Sequence, residues 1–202
     1  MPKLLAIGVG LALLAALPAY AAPQSAASVN SDLFGKDPGK DHVFACFTRH
    51  YDAAHLKAHP KQNVTDMRVL VNSGFGTDYD DQRSYNLTLG INFRTLKKEF
   101  QAYGGCSGTD EAQKALNCYI DCDGGSITVR TKDANSILVD VPYGARIYDP
   151  DTPDDEDPDA SLPPKAEFGS DDKTFLLTRV SSKLCVDLAD DDDKQLLLDS
   201  AR

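Results

Sequence analysis

Residues 118–125 read Cys-Tyr-Ile-Asp-Cys-Asp-Gly-Gly, and the rest of the chain can be interpreted outward from them. The stretch holds two of the five cysteines and a Gly-Gly pair that leads into the next apolar run. Glycine adopts positive φ angles without the steric cost that other residues have, so Asp123-Gly124-Gly125 predicts a tight turn. We therefore expect a strand that ends near Cys122, a turn, and a second strand directly after it.

The segments on both sides of this turn predict further strands. After it, residues 127–130 and 137–141 alternate apolar and polar side chains, with a polar turn sequence at 132–135 between them. Three consecutive strands joined by short turns predict a meander. Before it, weaker apolar runs at 67–71 and 100–103 predict two more strands.

The clearest alternation in the chain is at residues 85–93. Apolar side chains occupy every second position, and polar or small residues lie between them. A period of two over this length predicts a half-buried antiparallel strand. The apolar positions are Tyr85, Leu87, Leu89, Ile91 and Phe93.

Short apolar runs at 43–47, 175–177 and 184–188 bring the prediction to about eight short strands. One short N-terminal helix is predicted at Asp52–His59, because Asp52 can cap its start and Pro60 ends it. A short terminal helix is expected at 195–201. The pattern predicts a mainly β, single-domain antiparallel β-barrel or sandwich.

The N-terminus has the pattern of a secretory signal peptide. Lys3 precedes an apolar run at 4–17, and residues 19–21 (Ala-Tyr-Ala) form a small-x-small cleavage pattern. The run is shorter than the roughly 20 residues that a membrane-spanning helix needs. We expect residues 1–22 to be removed, which predicts a periplasmic or secreted protein with no transmembrane segment in the mature chain.

The mature chain divides into three parts by composition. Residues 23–40 are rich in Ala, Ser, Pro, Gly and Asp and predict a flexible leader. Residues 41–202 predict a single β-rich domain with an acidic loop inserted at 149–167. The first half of that loop, 149–159, carries seven acids and three prolines, which oppose both a strand ladder and a packed core.

The balance of charge excludes one class of partner. The chain has 21 Lys and Arg against 31 Asp and Glu, a formal net charge of −10, and loss of the signal peptide removes one further lysine. An acidic surface repels phosphate backbones and anionic lipid. We therefore expect no nucleic-acid partner.

All five cysteines follow the predicted signal peptide. In an oxidising compartment they predict two disulfides and one cysteine left over. We expect Cys106, Cys118, Cys122 and Cys185 to pair among themselves. On one strand Cys118 and Cys122 would lie about 13 Å apart, too far to bond each other. Cys46 would then be the unpaired cysteine.

The four histidines lie close together early in the domain and suggest a metal site. His55 and His59, four residues apart on the predicted helix, share one face, as metal ligands require. His42, Cys46 and His50 share a face as either strand or helix. The candidate metal ligands are His50, His55 and His59, and zinc or copper would suit them, although the sequence requires no cofactor and has no His-Glu-x-x-His motif.

Two groups of acids are further candidate sites. Asp121 and Asp123 invite a general acid–base interpretation, but an aspartate before Gly-Gly is ordinary turn chemistry. The acidic loop supplies oxygen ligands of the kind that calcium prefers, without the residue order of an EF-hand. The candidate calcium ligands are Asp151, Asp154, Asp155 and Asp157.

No nucleophile elbow, phosphate loop or dinucleotide fingerprint is present, and we assign no catalytic residue. The sequence favours an exported, disulfide-braced binding or envelope-associated protein without recognisable catalytic machinery, with an unknown small-molecule or protein ligand. Residues 42–59 and the loop 72–83 are the first places to look for its site. One alternative is a periplasmic transition-metal-binding protein that uses residues 42–59. A second alternative is a hydrolase whose catalytic residues are dispersed in the sequence.

Overall fold

The computed structural model describes residues 28–75, 83–120, 123–152, 162–163 and 166–200. Eight antiparallel strands form a closed barrel, in which each strand pairs with the next along the chain and the last pairs with the first. The prediction of an antiparallel β-barrel or sandwich is confirmed, as a barrel. The strands are β1 (Val43–His50), β2 (Val64–Phe75), β3 (Arg83–Phe93), β4 (Glu99–Asp110), β5 (Ala115–Tyr119), β6 (Ser126–Asp133), β7 (Ser136–Asp140) and β8 (Thr174–Val180).

Within the described residues, three α-helices and one 3₁₀ helix accompany the barrel. They are α1 (Val29–Phe34), α2 (Ala53–Ala58), the 3₁₀ helix Ser182–Leu188 and α3 (Asp191–Ser200). The prediction of α2 is confirmed, and the Asp52 carboxylate accepts a hydrogen bond from the His55 N–H at 2.7 Å as its N-cap. The prediction of a strand at 184–188 is wrong. Its buried residues, Cys185 and Leu188, are three apart, which is the repeat of a 3₁₀ helix.

The barrel interior is filled by side chains. The alternating apolar residues of β3 all face inward and are buried, as period two predicts. Large side chains from six other strands complete this core. Closure leaves no free strand edge among the eight strands. The largest of the fully buried interior side chains are Phe47, Phe93, Phe100, Phe175, Met67, Leu87, Leu89, Ile91, Leu116 and Ile127.

Helix α1 closes the end of the barrel at which β1 begins, which we call the plug end. Val29 and Leu33 are fully buried in the core. The Val29 N–H donates to the Glu111 carboxylate at 3.0 Å, and Arg179 donates to a carbonyl of α1. The prediction of a flexible leader at 23–40 is therefore wrong for residues 29–34. Val29 and Leu33 are four residues apart, so they share one helix face and pack into the core together.

The opposite end, at which β1 ends and residues 141–173 connect β7 to β8, we call the loop end. The β5–β6 turn lies here, with φ of 60° at Asp123 and 98° at Gly125, so the predicted turn is present. The expected extension of β5 to Cys122 falls on residues 121–122, outside the described part of the chain. Among the described residues no helix is long and apolar enough to cross a membrane. The signal peptide at 1–22 stays a prediction.

The C-terminal segment packs on the outside of the barrel. A second apolar cluster joins Phe44 and Leu70, from the outer faces of β1 and β2, to Leu188 and Leu197. The cluster also contains the disulfide between Cys46 and Cys185. The 3₁₀ helix and α3 are thus fixed to the barrel wall by apolar burial and by a covalent bond.

Candidate functional site

A cleft of about 490 Å³ lies at the loop end, over the filled interior. Its walls come from the β5–β6 turn, from the segment after β7 and from the segment that precedes β8. The described residues that line it are Asp123, Gly124, Gly125, Tyr143, Gly144, Ala145, Arg146, Ile147, Leu162, Ala166, Glu167, Phe168 and Lys173.

Two turns meet at one side of this cleft. The Arg146 N–H donates to the Gly124 carbonyl at 2.8 Å, which joins the β5–β6 turn to the segment after β7. A Cβ atom at Gly125 would lie 3.0 Å from the Gly144 carbonyl oxygen, and Gly125 also has a positive φ. Both conditions require glycine at position 125, so this wall of the cleft depends on close backbone packing.

The floor of the cleft is apolar and continuous with the core. The Phe168 ring packs edge-on against Phe93 and Phe175, with ring centroids 5.9 and 6.4 Å apart. Ile147 is buried beside them. The rim is charged, with Asp123 and Glu167 as acids and with basic groups from Arg146 and Lys173. The cleft therefore offers apolar contact below and polar groups of both signs above, which is the usual composition of a ligand site.

A buried carboxylate anchors the segment that carries Phe168. Asp172 is fully buried and accepts backbone N–H donors from Asn63 and Gly169 at 2.7 Å and from Val64 at 3.2 Å. Burial raises the pKa of Asp172, and the three N–H donors and Arg94 oppose that shift. Because these donors come from the start of β2 and from the segment before β8, Asp172 fixes one wall of the cleft to the start of β2.

A second, shallower groove adjoins the cleft. It has a volume of about 360 Å³ and is lined by Tyr119, Ile120, Asp123, Gly125, Ser126 and Tyr143. Asp123, Gly125 and Tyr143 belong to both depressions, so the groove and the cleft form one continuous surface.

The structure does not assemble the metal site predicted from His50, His55 and His59. His50 binds the Asp66 carboxylate at 2.6 Å, while the rings of His55 and His59 stack with centroids 4.3 Å apart. Stacked rings point their nitrogen lone pairs in parallel, so the two do not converge on one zinc or copper ion. No group of three His, Cys, Asp or Glu residues within the described ranges is placed to hold a metal.

His42 lies apart from the other histidines, directly before β1. Its ring stacks on Phe44 with centroids 4.8 Å apart, and its Nε2 lies 3.4 Å from the carboxylate of Asp193 on α3. Asp193 also accepts a hydrogen bond from the Asn72 side chain at 2.6 Å. These contacts help to attach the C-terminal helix to the barrel, and they place His42 in a packing role.

The prediction of two disulfides is confirmed, but the pairing differs from the expected one. Cys106 bonds Cys118 across the β4–β5 ladder, and Cys46 bonds Cys185. Cys46 was expected to be unpaired; it is paired because the segment after β8 returns to the outer face of β1. Cys122, expected in a disulfide, lies outside the described residues, and the two bonds leave it as the remaining cysteine of the five.

The predicted acidic sites fall mainly outside the described residues. Of the calcium candidates only Asp151 is described, and it forms an ion pair with Lys98 at 3.3 Å, beside a second pair between Lys98 and Asp149. Asp154, Asp155 and Asp157 are not among the described residues, and neither is Asp121. The calcium site stays a prediction. In the loop 72–83, residues 72–75 belong to β2 and residue 83 to β3, and 76–82 are not described.

Sequence reasoning missed the residues that shape the cleft. Phe168, Asp172 and Tyr143 lie in segments without periodicity, and Asp172 is held by backbone groups rather than by a partner side chain. The Gly-Gly pair at 124–125 was the one local signal, since it marked the turn that forms a cleft wall.

Comparison with protein-family models, with curated proteins and with solved structures finds no match for this chain.

Proposed function

We propose that this protein is an exported, disulfide-braced binding protein of the periplasm or cell exterior, and that its ligand site is the loop-end cleft. The observation that carries the proposal is the composition of the loop-end cleft, which has an apolar floor and a charged rim. Helix α1 occupies the plug end, with Val29 and Leu33 in the core, and a second cleft of about 470 Å³ lies beside it, next to the start of β1. The interior itself is filled, so a ligand would lie on the barrel rather than inside it.

The composition of the cleft favours binding over hydrolysis. None of its described lining residues is Ser, Cys or His, so they form no Ser–His or Cys–His pair. The proposed ligand has an apolar part that contacts Phe168 and Leu162 and polar groups that meet the rim. The two disulfides support an oxidising compartment, which agrees with the proposed signal peptide.

The binding proposal is tested with the dye 1-anilinonaphthalene-8-sulfonate, which combines an apolar ring system with one anionic group. We expect saturable enhancement of its fluorescence by the protein. An Ala145→Trp variant, which fills the cleft, should lose most of it. Ala54→Trp on the exposed face of α2 is the matched control and should retain it. Equal enhancement by the two variants would refute the cleft as the site.

The export proposal is tested by expressing the full chain in a bacterial host and by measuring the mass of the protein in the periplasmic fraction. Cleavage after Ala21 or Ala22 gives a chain that begins at Ala22 or Pro23. Recovery of uncleaved chain in the cytoplasm alone would contradict the proposal.

A further inference from the structure

The groove beside the cleft exposes two tyrosine rings. Tyr143 is 92 % exposed and Tyr119 is 57 % exposed, and both line the same depression. Aromatic rings bury a large area when they pack, so two exposed rings on one groove mark a contact surface. The position of Tyr143 is fixed by its neighbours, because Gly144 donates to the Val141 carbonyl and packs against the β5–β6 turn.

Asp123 lines the same groove as these rings and has a backbone conformation that favours glycine. Its φ is 60°, in the left-handed region, where side chains other than those of Asn and Asp are rare. The two residues that follow it are glycines, whereas position 123 itself carries a carboxylate. Its side chain is exposed at the groove. Aspartate tolerates this conformation better than most residues do, so the turn holds an exposed carboxylate at the groove.

The charges around the groove select a positive ligand. Asp123 is the only charged residue among the described residues that line it. The basic groups Arg146 and Lys173 line the adjoining cleft, where Glu167 lies with them. The chain as a whole carries a formal net charge of −10. A cation in the groove would therefore meet one carboxylate, two aromatic rings and a favourable long-range field.

We infer that the groove binds an organic cation, an ammonium or guanidinium group, with Tyr119 and Tyr143 as its aromatic contacts and Asp123 as the counter-ion. The inference rests on the proposed function and names the chemistry of one part of its ligand. The cation belongs either to a free quaternary ammonium compound or to a Lys or Arg side chain of a basic peptide. Each exposed ring is expected to contribute about two- to fivefold in affinity.

The test compares a cation with an uncharged molecule of the same shape. Choline is titrated against the mature protein by NMR and by tyrosine fluorescence, which is usable because the chain has no tryptophan. The control ligand is 3,3-dimethyl-1-butanol, in which carbon replaces the charged nitrogen. A third probe, the peptide acetyl-Gly-Lys-Gly-Arg-Gly-amide, distinguishes a protein segment from a free ammonium compound. The variants are Asp123→Asn and Tyr143→Ala, and Tyr103→Ala on the outer face of β4 is the control.

We expect choline or the peptide to bind at least about fivefold more tightly than the uncharged isostere. Asp123→Asn and Tyr143→Ala should each lower that affinity, Tyr103→Ala should not, and the affinity should fall between about 0.05 and about 0.5 M salt. Tighter binding of the peptide assigns the cation to a partner protein, and tighter binding of choline to a free ammonium compound. Three results would each overturn the inference. They are equal binding of the isostere, binding that neither Asp123→Asn nor Tyr143→Ala changes, and no binding of choline or of the peptide. If the anionic dye still distinguishes Ala145→Trp from Ala54→Trp, the proposed function stands and only the cation is wrong.

Discussion

Gly90 lies opposite Arg68 in the β2–β3 ladder, and the space left by its missing side chain is occupied by the carboxylate of Glu99. Through this gap Glu99, on β4, reaches across β3 and accepts hydrogen bonds from Arg68 at 2.9 and 2.5 Å. Asp187 of the 3₁₀ helix accepts two more from the same guanidinium at 2.8 and 2.5 Å. One arginine thus joins β2, β4 and the C-terminal segment on the barrel's outer face.

Substitution of Gly90 by alanine should break this arrangement. A Cβ atom there would lie 2.6 Å from the Glu99 carboxyl group, so Glu99 must move away from Arg68. We expect Gly90→Ala to lower the free energy of unfolding by about 1–2 kcal/mol through loss of a charge-assisted hydrogen bond. Urea denaturation measures it. In a Glu99→Ala background the same substitution should be nearly neutral, and an unchanged cost there would contradict the proposed cause.

The Arg68–Asp187 contact predicts a loss of stability in acid. Hydrogen bonds from Arg68 hold the pKa of Asp187 below its usual range. The folded pKa is lower than the unfolded value of about 3.9, so the contribution is present above that value and is lost as the pH falls through the folded pKa. Because the Asp187 side chain is 59 % exposed, we expect less than about 1 kcal/mol. The measurement is urea denaturation of wild type and of Asp187→Asn, from about pH 6 downward. The difference between their free energies of unfolding should shrink to nothing in acid.

Asp172 should show a pH dependence of the opposite sign. Burial raises its pKa, so the free energy of unfolding falls as the pH rises from the unfolded pKa through the folded one. Asp172→Asn removes this slope. It also turns an amide N–H₂ toward a backbone donor, and we expect a cost of about 2–3 kcal/mol at neutral pH. The neighbouring exposed Asp171→Asn is the control and should change stability by less than about 0.5 kcal/mol. Equal effects of the two variants would contradict the anchoring role of Asp172.

The two disulfides should contribute unequally. Cys46 and Cys185 are separated by 139 residues, and Cys106 and Cys118 by 12. In the chain-entropy description the longer loop stabilises by about 5 kcal/mol and the shorter by about 3 kcal/mol. Paired alanine variants, compared by urea denaturation, should follow this order. Loss of the longer bridge should also raise hydrogen exchange in the 3₁₀ helix and α3, which the shorter bridge does not touch.

A thiol count checks the same pairing. The unfolded, non-reduced protein should react with one equivalent of thiol reagent per chain, and peptide mapping should place the label on Cys122. Labelling at Cys46 would contradict the bond to Cys185.

The barrel could be predicted from sequence because its strongest signals are local. In β3 the polarity of each residue indicates whether its side chain faces the core or the outside. A short run of alternating residues is therefore enough to identify a half-buried strand. The helix α2 was likewise visible from the side-chain cap at Asp52 and from Pro60. Closure of the sheet, rather than a sandwich, depends on β8 pairing with β1, and no residue of either strand signals that partner.

The features that escaped prediction depend on distant parts of the chain. Val29 and Leu33 form too short an apolar pattern to indicate a helix, and their burial requires a completed barrel end. Cys46 meets Cys185 only because the chain after β8 turns back along β1. The cleft was invisible for the same reason, since its walls join residues near 63, 124, 146 and 169 through backbone contacts.

The bond between Cys46 and Cys185 also determines what happens when the chain is cut. The acidic loop at 149–167 lies between the two cysteines in sequence, so one cleaved peptide bond in that loop divides the protein into two polypeptides that remain linked. The shorter polypeptide carries β8, which still pairs with β7 and β1. A nicked molecule would migrate as one band without reductant and as two with it, while its barrel stays closed. After such a cut, the two polypeptides are joined covalently only by the bond between Cys46 and Cys185.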